Sequence, residues 1–255
     1  MKRGRWAAAG VMLAGAAATA QPVLHFATEP FAPYTYAVQG HAAGPMVEVL
    51  QAACERVGWR CEVEVLPWRR ALGLAQRGEM QGVFTVLDSP ERRQYFHVSP
   101  PVIDARYTLF VRGGGFQYTG DAQVLAGRVI GAYGPSGTAL ALEQLIDGVP
   151  GARSEIEPDN RTVLRKLAAG RYGDGGLALI NEAVAGELIR EDGIAGLQPA
   201  GVVKRFGYSF GLSRERVDAV QAQAFAKALN ELCRSGRTAA LLKPHGLAAS
   251  ACSKP

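Results

Sequence analysis

The chain has 255 residues, 48% hydrophobic and 20% charged, with a formal net charge of +5. That is enough to bury a full core and build two modest lobes, and the absence of any fixed-period repeat or low-complexity segment after the leader excludes an array. Lys2, Arg3 and Arg5 fall in that leader, and without them the formal charge drops to +2, so the basicity marks targeting rather than a nucleic-acid surface.

Lys2, Arg3 and Arg5 precede an uncharged apolar run at 7–18, too short for the roughly 20 residues of a membrane span. Ala18-Thr19-Ala20 reads as an A-x-A cleavage site, which predicts that residues 1–20 are a removed signal peptide. Gln21, not Cys, follows the cut, so no lipid anchor is expected, and Gly4 between Arg3 and Arg5 does not support a twin-Arg signal. The expectation is an exported, soluble protein.

Beyond the leader, strands and helices alternate. A strand is predicted at 23–28, a helix at 45–57 with Met46, Val49, Leu50 and Ala53 on one face, a strand at 61–66 and a helix at 68–77. Gly78 stops that helix, 83–86 is a short β-rich run, and Pro90 breaks the chain. Glu91-Arg92-Arg93 then lies beyond a strand end, where ligands collect in open α/β sheets. A strand at 107–112 runs into Gly113-Gly114-Gly115. A second unit follows, with a strand at 129–132, helices at 138–146 and 161–169, and a strand at 177–180 leading into a helix from Glu182. An extended return at 202–212 and a long helix at 215–233 complete the chain. The alternation argues a largely parallel α/β sheet in each lobe. The glycine triplet and the return segment suggest two hinge crossovers, with a plain hairpin loop as the competing reading of the triplet.

Several residues carry chemistry. The Arg92 guanidinium is a planar fork suited to a carboxylate, with Arg93 the neighbouring candidate and a solvated Arg pair the bland alternative. The loop from Gly131 to Thr138 opens a helix and frees backbone N–H groups for an anion. It lacks the Lys of a nucleotide-binding loop, and Ser136 fits both an N-cap and a ligand hydroxyl. Phe31 and Tyr34, in the loop after the first strand, and Trp68 after Pro67 fit either packing or a cleft wall. The four cysteines allow three pairings; Cys54 and Cys61 flank a short turn, and Cys233 and Cys252 lie near the C-terminus. No C-x-x-C and no histidine at ligand spacing is present, so neither a metal nor a cofactor is expected. Hydrolase motifs are absent as well.

Ser89-Pro90-Glu91-Arg92 and the loosely matching Phe96-His97-Val98-Ser99-Pro100-Pro101 resemble the signature of type II periplasmic solute-binding proteins of ABC importers, the amino-acid-binding type of extracellular solute-binding protein family 3. The resemblance covers essentially the whole chain after the leader. It implies a two-lobed α/β fold of type II, each lobe a mainly parallel sheet flanked by helices, joined by two hinge crossovers. Lobe 1 would comprise 21–112 and 205–255, and lobe 2 113–204. It further implies a monomer that binds a small carboxylate-bearing, amino-acid-like solute between the lobes and delivers it to an ABC permease in the inner membrane.

Carried over position by position, the resemblance places Glu29, Phe31, Tyr34, Trp68, Thr85, Arg92, Ser136, Thr138, Asn181 and Glu182 at the ligand. Some members carry a disulfide at the place of Cys54 and Cys61, which leaves Cys233 to pair with Cys252. The chain departs from the pattern at Asn181, where an Asp usually takes the ligand's α-ammonium, and at Gln81, where Asp is usual. The segment before Glu91 is also one residue short. Either the ligand is not a standard α-amino acid, or Glu29 or Glu182 supplies the charge. Two alternatives share the scaffold: a cyclohexadienyl dehydratase-like enzyme with Glu29 or Glu182 as general acid, and a sensor presented to a membrane receptor. A non-enzymatic binding protein is the expectation.

Overall fold

The computed structural model describes residues 23–253, so the leader and its cleavage site lie outside the described residues. The first strand is Val23–Thr28 (β1), followed by the hairpin Tyr36–Val38 (β2) and His41–Ala43 (β3). Next come Pro45–Val57 (α1), Arg60–Val65 (β4), Trp68–Gln76 (α2) and Gly82–Val86 (β5). Pro90–Tyr95 (α3), Phe96–Val98 (β6) and Ile103–Arg112 (β7) follow. The middle of the chain forms Val129–Tyr133 (β8), Gly137–Ile146 (α4), Arg153–Glu157 (β9), Asn160–Ala168 (α5), Leu177–Asn181 (β10) and Glu182–Asp192 (α6). A 17-residue strand, Leu197–Ser213 (β11), then leads to Ala219–Arg234 (α7) and Arg237–Leu242 (α8). No helix among the described residues is long and apolar enough to cross a membrane.

Local chemistry sets the boundaries. The apolar face of α1 buries Met46, Val49, Leu50 and Ala53, and the helix ends on Gly58 in the left-handed region. The last long helix begins at Ala219, not 215, because Asp218 and Gln221 close a capping box that fixes the first turn. The Glu91-Arg92-Arg93 turn is a short helix: Pro90 suits its first position, and the Ser89 hydroxyl accepts from the Arg92 N–H at 3.2 Å.

The strands form two lobes joined by shared long strands. In the first, β1 pairs in parallel with β4 and β5; in the second, β8 pairs in parallel with β9 and β10. The β11 strand serves both: its residues up to Tyr208 lie antiparallel to β7, and from Ser209 onward it lies antiparallel to β5. Phe26, Leu50, Phe84, Phe210 and Phe225 fill the first core, and Leu109, Ile130, Leu142 and Leu179 the second.

These pairings move the first crossover. The glycine triplet at Gly113 to Gly115 was expected between the lobes, yet β7 already pairs with β10 along Tyr107 to Val111. The triplet therefore lies at the outer end of the second sheet, where the Gly113 N–H donates to the Gly196 carbonyl at 2.8 Å. The chain passes between the lobes just before Ile103, and returns where β11 changes partner between Tyr208 and Ser209.

Both disulfides, Cys54–Cys61 and Cys233–Cys252, are formed, and no free cysteine remains among the described residues. The first spans a separation of 7 residues and the second 19. Loop entropy predicts that deleting the longer bridge (Cys233→Ser with Cys252→Ser) costs about 3 kcal/mol and deleting the shorter about 2.5. Urea titration of the two double variants checks the order, and equal or reversed losses would contradict it.

Candidate functional site

The C-terminal ends of the parallel strands converge between the lobes, the expected position for a ligand in open α/β sheets. Each loop there is held by its own hydrogen bonds. After β1, the Thr35 hydroxyl donates to the Glu29 carbonyl at 2.6 Å and the Phe31 N–H to the Thr35 carbonyl at 2.8 Å. This folds the loop so that Phe31 stacks on Tyr34 at 5.4 Å between centroids and meets the edge of Tyr208 at 5.9 Å. After β8, the Ser136 hydroxyl caps α4, accepting from the N–H groups of Thr138 and Ala139 and donating to the Tyr133 carbonyl. At the end of β5, buried Thr85 holds a φ of 63°, a region that a β-branched residue rarely enters.

The lobes touch at Gly137: a Cβ there would stand 2.6 Å from Leu87 Cδ1 and 2.8 Å from the Tyr107 hydroxyl, so a larger residue would push these side chains aside. Around this contact lies a cavity of about 410 Å³. Of the sequence-predicted residues, Glu29, Phe31, Trp68, Thr85, Arg92, Ser136 and Thr138 line it. Arg92 is mostly shielded, with a side chain 19% exposed and its nearest carboxylate, Glu91, 3.6 Å away. Arg93 points elsewhere: it is 58% exposed and bonded to Asp88 at 2.5 Å, so the candidate anchor is Arg92.

Three predicted residues do not line the cavity. Asn181, 1% exposed, caps α6 by accepting from the N–H groups of Ala183 and Val184. It also accepts from the Tyr34 hydroxyl and donates to the Tyr208 hydroxyl, each at 3.1 Å. Its oxygen and nitrogen are thus occupied, and Tyr34 is drawn into the same buried knot as a tie between the lobes. Glu182 faces β7, where Arg106 Nη2 and the Thr108 hydroxyl each donate to it at 2.6 Å. This ion pair lies outside the cavity.

Glu29 is the exception among the acids. Its carboxyl lines the cavity and makes no hydrogen bond among the described residues, and burial lifts its pKa from the ordinary 4.5 to about 8. Around it stand Tyr107, Tyr133 and Tyr208, phenols that the sequence reading did not select; burial raises the pKa of each, those of Tyr107 and Tyr133 to about 12. Tyr133 was within reach of sequence reasoning, because it immediately precedes the Gly-rich loop. Tyr107 and Tyr208 sit in strands, and only the β7–β11 register brings them to the cleft.

The Glu29 carboxyl makes stability pH-dependent. The folded state holds a proton that the unfolded chain loses near pH 4.5, so its contribution is complete below that pH and is lost as pH rises toward 8. Wild-type stability should fall by ~1 kcal/mol per pH unit across that window, and Glu29→Gln should abolish the fall. Chemical denaturation at several pH values checks this; parallel curves for the two proteins would contradict it.

Residues 24–247 match the family model for bacterial extracellular solute-binding proteins, family 3. The chain belongs to that family. Solved structures agree on the fold of this solute-binding protein. A histidine kinase sensor domain with similarity to periplasmic binding proteins is 20% identical at a TM-score of 0.77, over 90% of this chain and 99% of that one. An ancestral arginine-binding protein bound to arginine is 17% identical at 0.75, over 88% and 98%. The amino-acid ABC transporter substrate-binding protein AbpA of Streptococcus pneumoniae, bound to L-arginine, is 21% identical at 0.72, over 88% and 94%. No curated protein sequence matches this one.

Proposed function

We propose that this solute-binding protein captures a small carboxylate-bearing solute between its lobes in the periplasm and delivers it, as a monomer, to an ABC permease. The observation that carries the reading is Arg92, a shielded guanidinium without a tight carboxylate partner, facing the capped N-terminus of α4 across the cavity. A carboxylate between them meets a charge-assisted fork on one side and the positive end of the α4 dipole on the other. Because the two groups come from different lobes, the ligand stabilises the closed form, with bending at the crossovers before Ile103 and after Tyr208.

A thermal-shift panel of small carboxylic acids, including free amino acids, paired with their methyl esters tests this. Acids should stabilise the protein and their esters should not. Equal stabilisation by acid and ester, or none by any acid, contradicts the carboxylate reading.

A further inference from the structure

Two charges of opposite sign, Arg92 and the partly buried Glu29, line the cavity without an ion pair between them among the described residues. The other lining charges are spent or open to solvent. Asp88 is bonded to Arg93, Glu91 is 66% exposed, and Arg69 and Lys204 are exposed. The cations Arg69, Arg92 and Lys204 balance the acids Glu29, Asp88 and Glu91, which suits a ligand of zero net charge. With the ligand carboxylate at Arg92, Glu29 is the group left for a positive pole.

The surroundings of Glu29 select the kind of cation. A neighbouring chamber of about 670 Å³ shares Glu29, Phe31, Trp68 and Tyr133 with the cavity, so the carboxyl stands among three aromatic side chains. All three are only half-buried, which leaves ring surface open to a ligand. A primary ammonium carries three N–H donors that each need an acceptor, and a carboxyl set among rings supplies them on one side only. Asn181 adds none, because its amide is consumed by Tyr34, Tyr208 and the cap of α6. An alkylated ammonium has no such need, and ring faces attract it directly. Resting on the carboxylate-binding reading above, we infer that the ligand is a betaine, an acid with a fully alkylated ammonium. Arg92 holds its carboxylate, and Glu29 holds its cation among Phe31, Trp68 and Tyr133.

Calorimetry with the trimethylammonio derivatives of acetate, propanoate and butanoate decides the matter, each beside its primary amine and its uncharged tert-butyl isostere. At the best spacing the trimethyl form should bind about tenfold more tightly than either counterpart. Its binding should also release a proton and tighten as pH rises toward 8, because the cation displaces the proton that burial places on Glu29. Glu29→Gln should remove that pH dependence, and Trp68→Leu should shrink the gap between the trimethyl form and its isostere. A primary amine or an isostere that matches the trimethyl form at every spacing overturns this inference and leaves the carboxylate-binding function standing. Failure of every trimethyl form, beside stabilisation by another acid in the thermal-shift panel, does the same. Failure of every acid in both experiments overturns both readings.

Discussion

Asn181→Ala should destabilise the folded protein by roughly 3–5 kcal/mol, the largest loss expected from any single polar truncation near the cleft. Two effects combine. The helix cap of α6 disappears, worth about 1–2 kcal/mol, and two buried phenols, Tyr34 and Tyr208, each lose their partner at about 1–3 kcal/mol. Asn181→Asp keeps an acceptor for the two backbone N–H groups and for Tyr34, and the Tyr208 hydroxyl can turn to donate, so its loss should be much smaller. Urea denaturation of both variants measures the difference. A loss near 1 kcal/mol for the alanine variant would mean that the knot is not a structural tie.

Arg92→Ala should weaken binding of a carboxylate ligand by a hundredfold or more, on the order of 3 kcal/mol. The substitution removes the charge-assisted fork and leaves a carboxylate desolvated between the lobes without its cation. Arg92→Lys should recover only part of the affinity, because an ammonium cannot reproduce the planar pair of donors. Arg93→Ala is the internal control: its guanidinium is mostly exposed and does not line the cavity, so affinity should fall far less than for Arg92→Ala. If Arg93→Ala weakens binding and Arg92→Ala does not, the anchor is one residue further along. If neither does, the carboxylate-anchor model is wrong.

The alternation of strands and helices was legible because the β-rich runs are short and bounded by glycine and proline; Val23–Thr28 and Pro45–Val57 stand where the pattern predicts them. Arg92 and the Gly-rich loop were legible for the same local reason, since a cap and a strand end leave marks within a few residues. The glycine triplet misled, because local freedom of the backbone says nothing about which sheet the preceding strand joins. Asn181 misled for a longer-range reason. Its hydroxyl partners lie 147 and 27 residues away, and nothing near it in the chain shows that they consume its amide. The proton on Glu29 is likewise a property of packing, set by what surrounds the group rather than by its neighbours in sequence.

Native mass spectrometry of the protein purified directly from the periplasm, wild type beside Arg92→Ala, tests the central claim most directly. The wild-type protein should retain one small acid per chain, identifiable by its exact mass and fragments, and the Arg92→Ala protein prepared in parallel should have lost it. A solute retained equally by both proteins, or one with no acid group, would contradict the account.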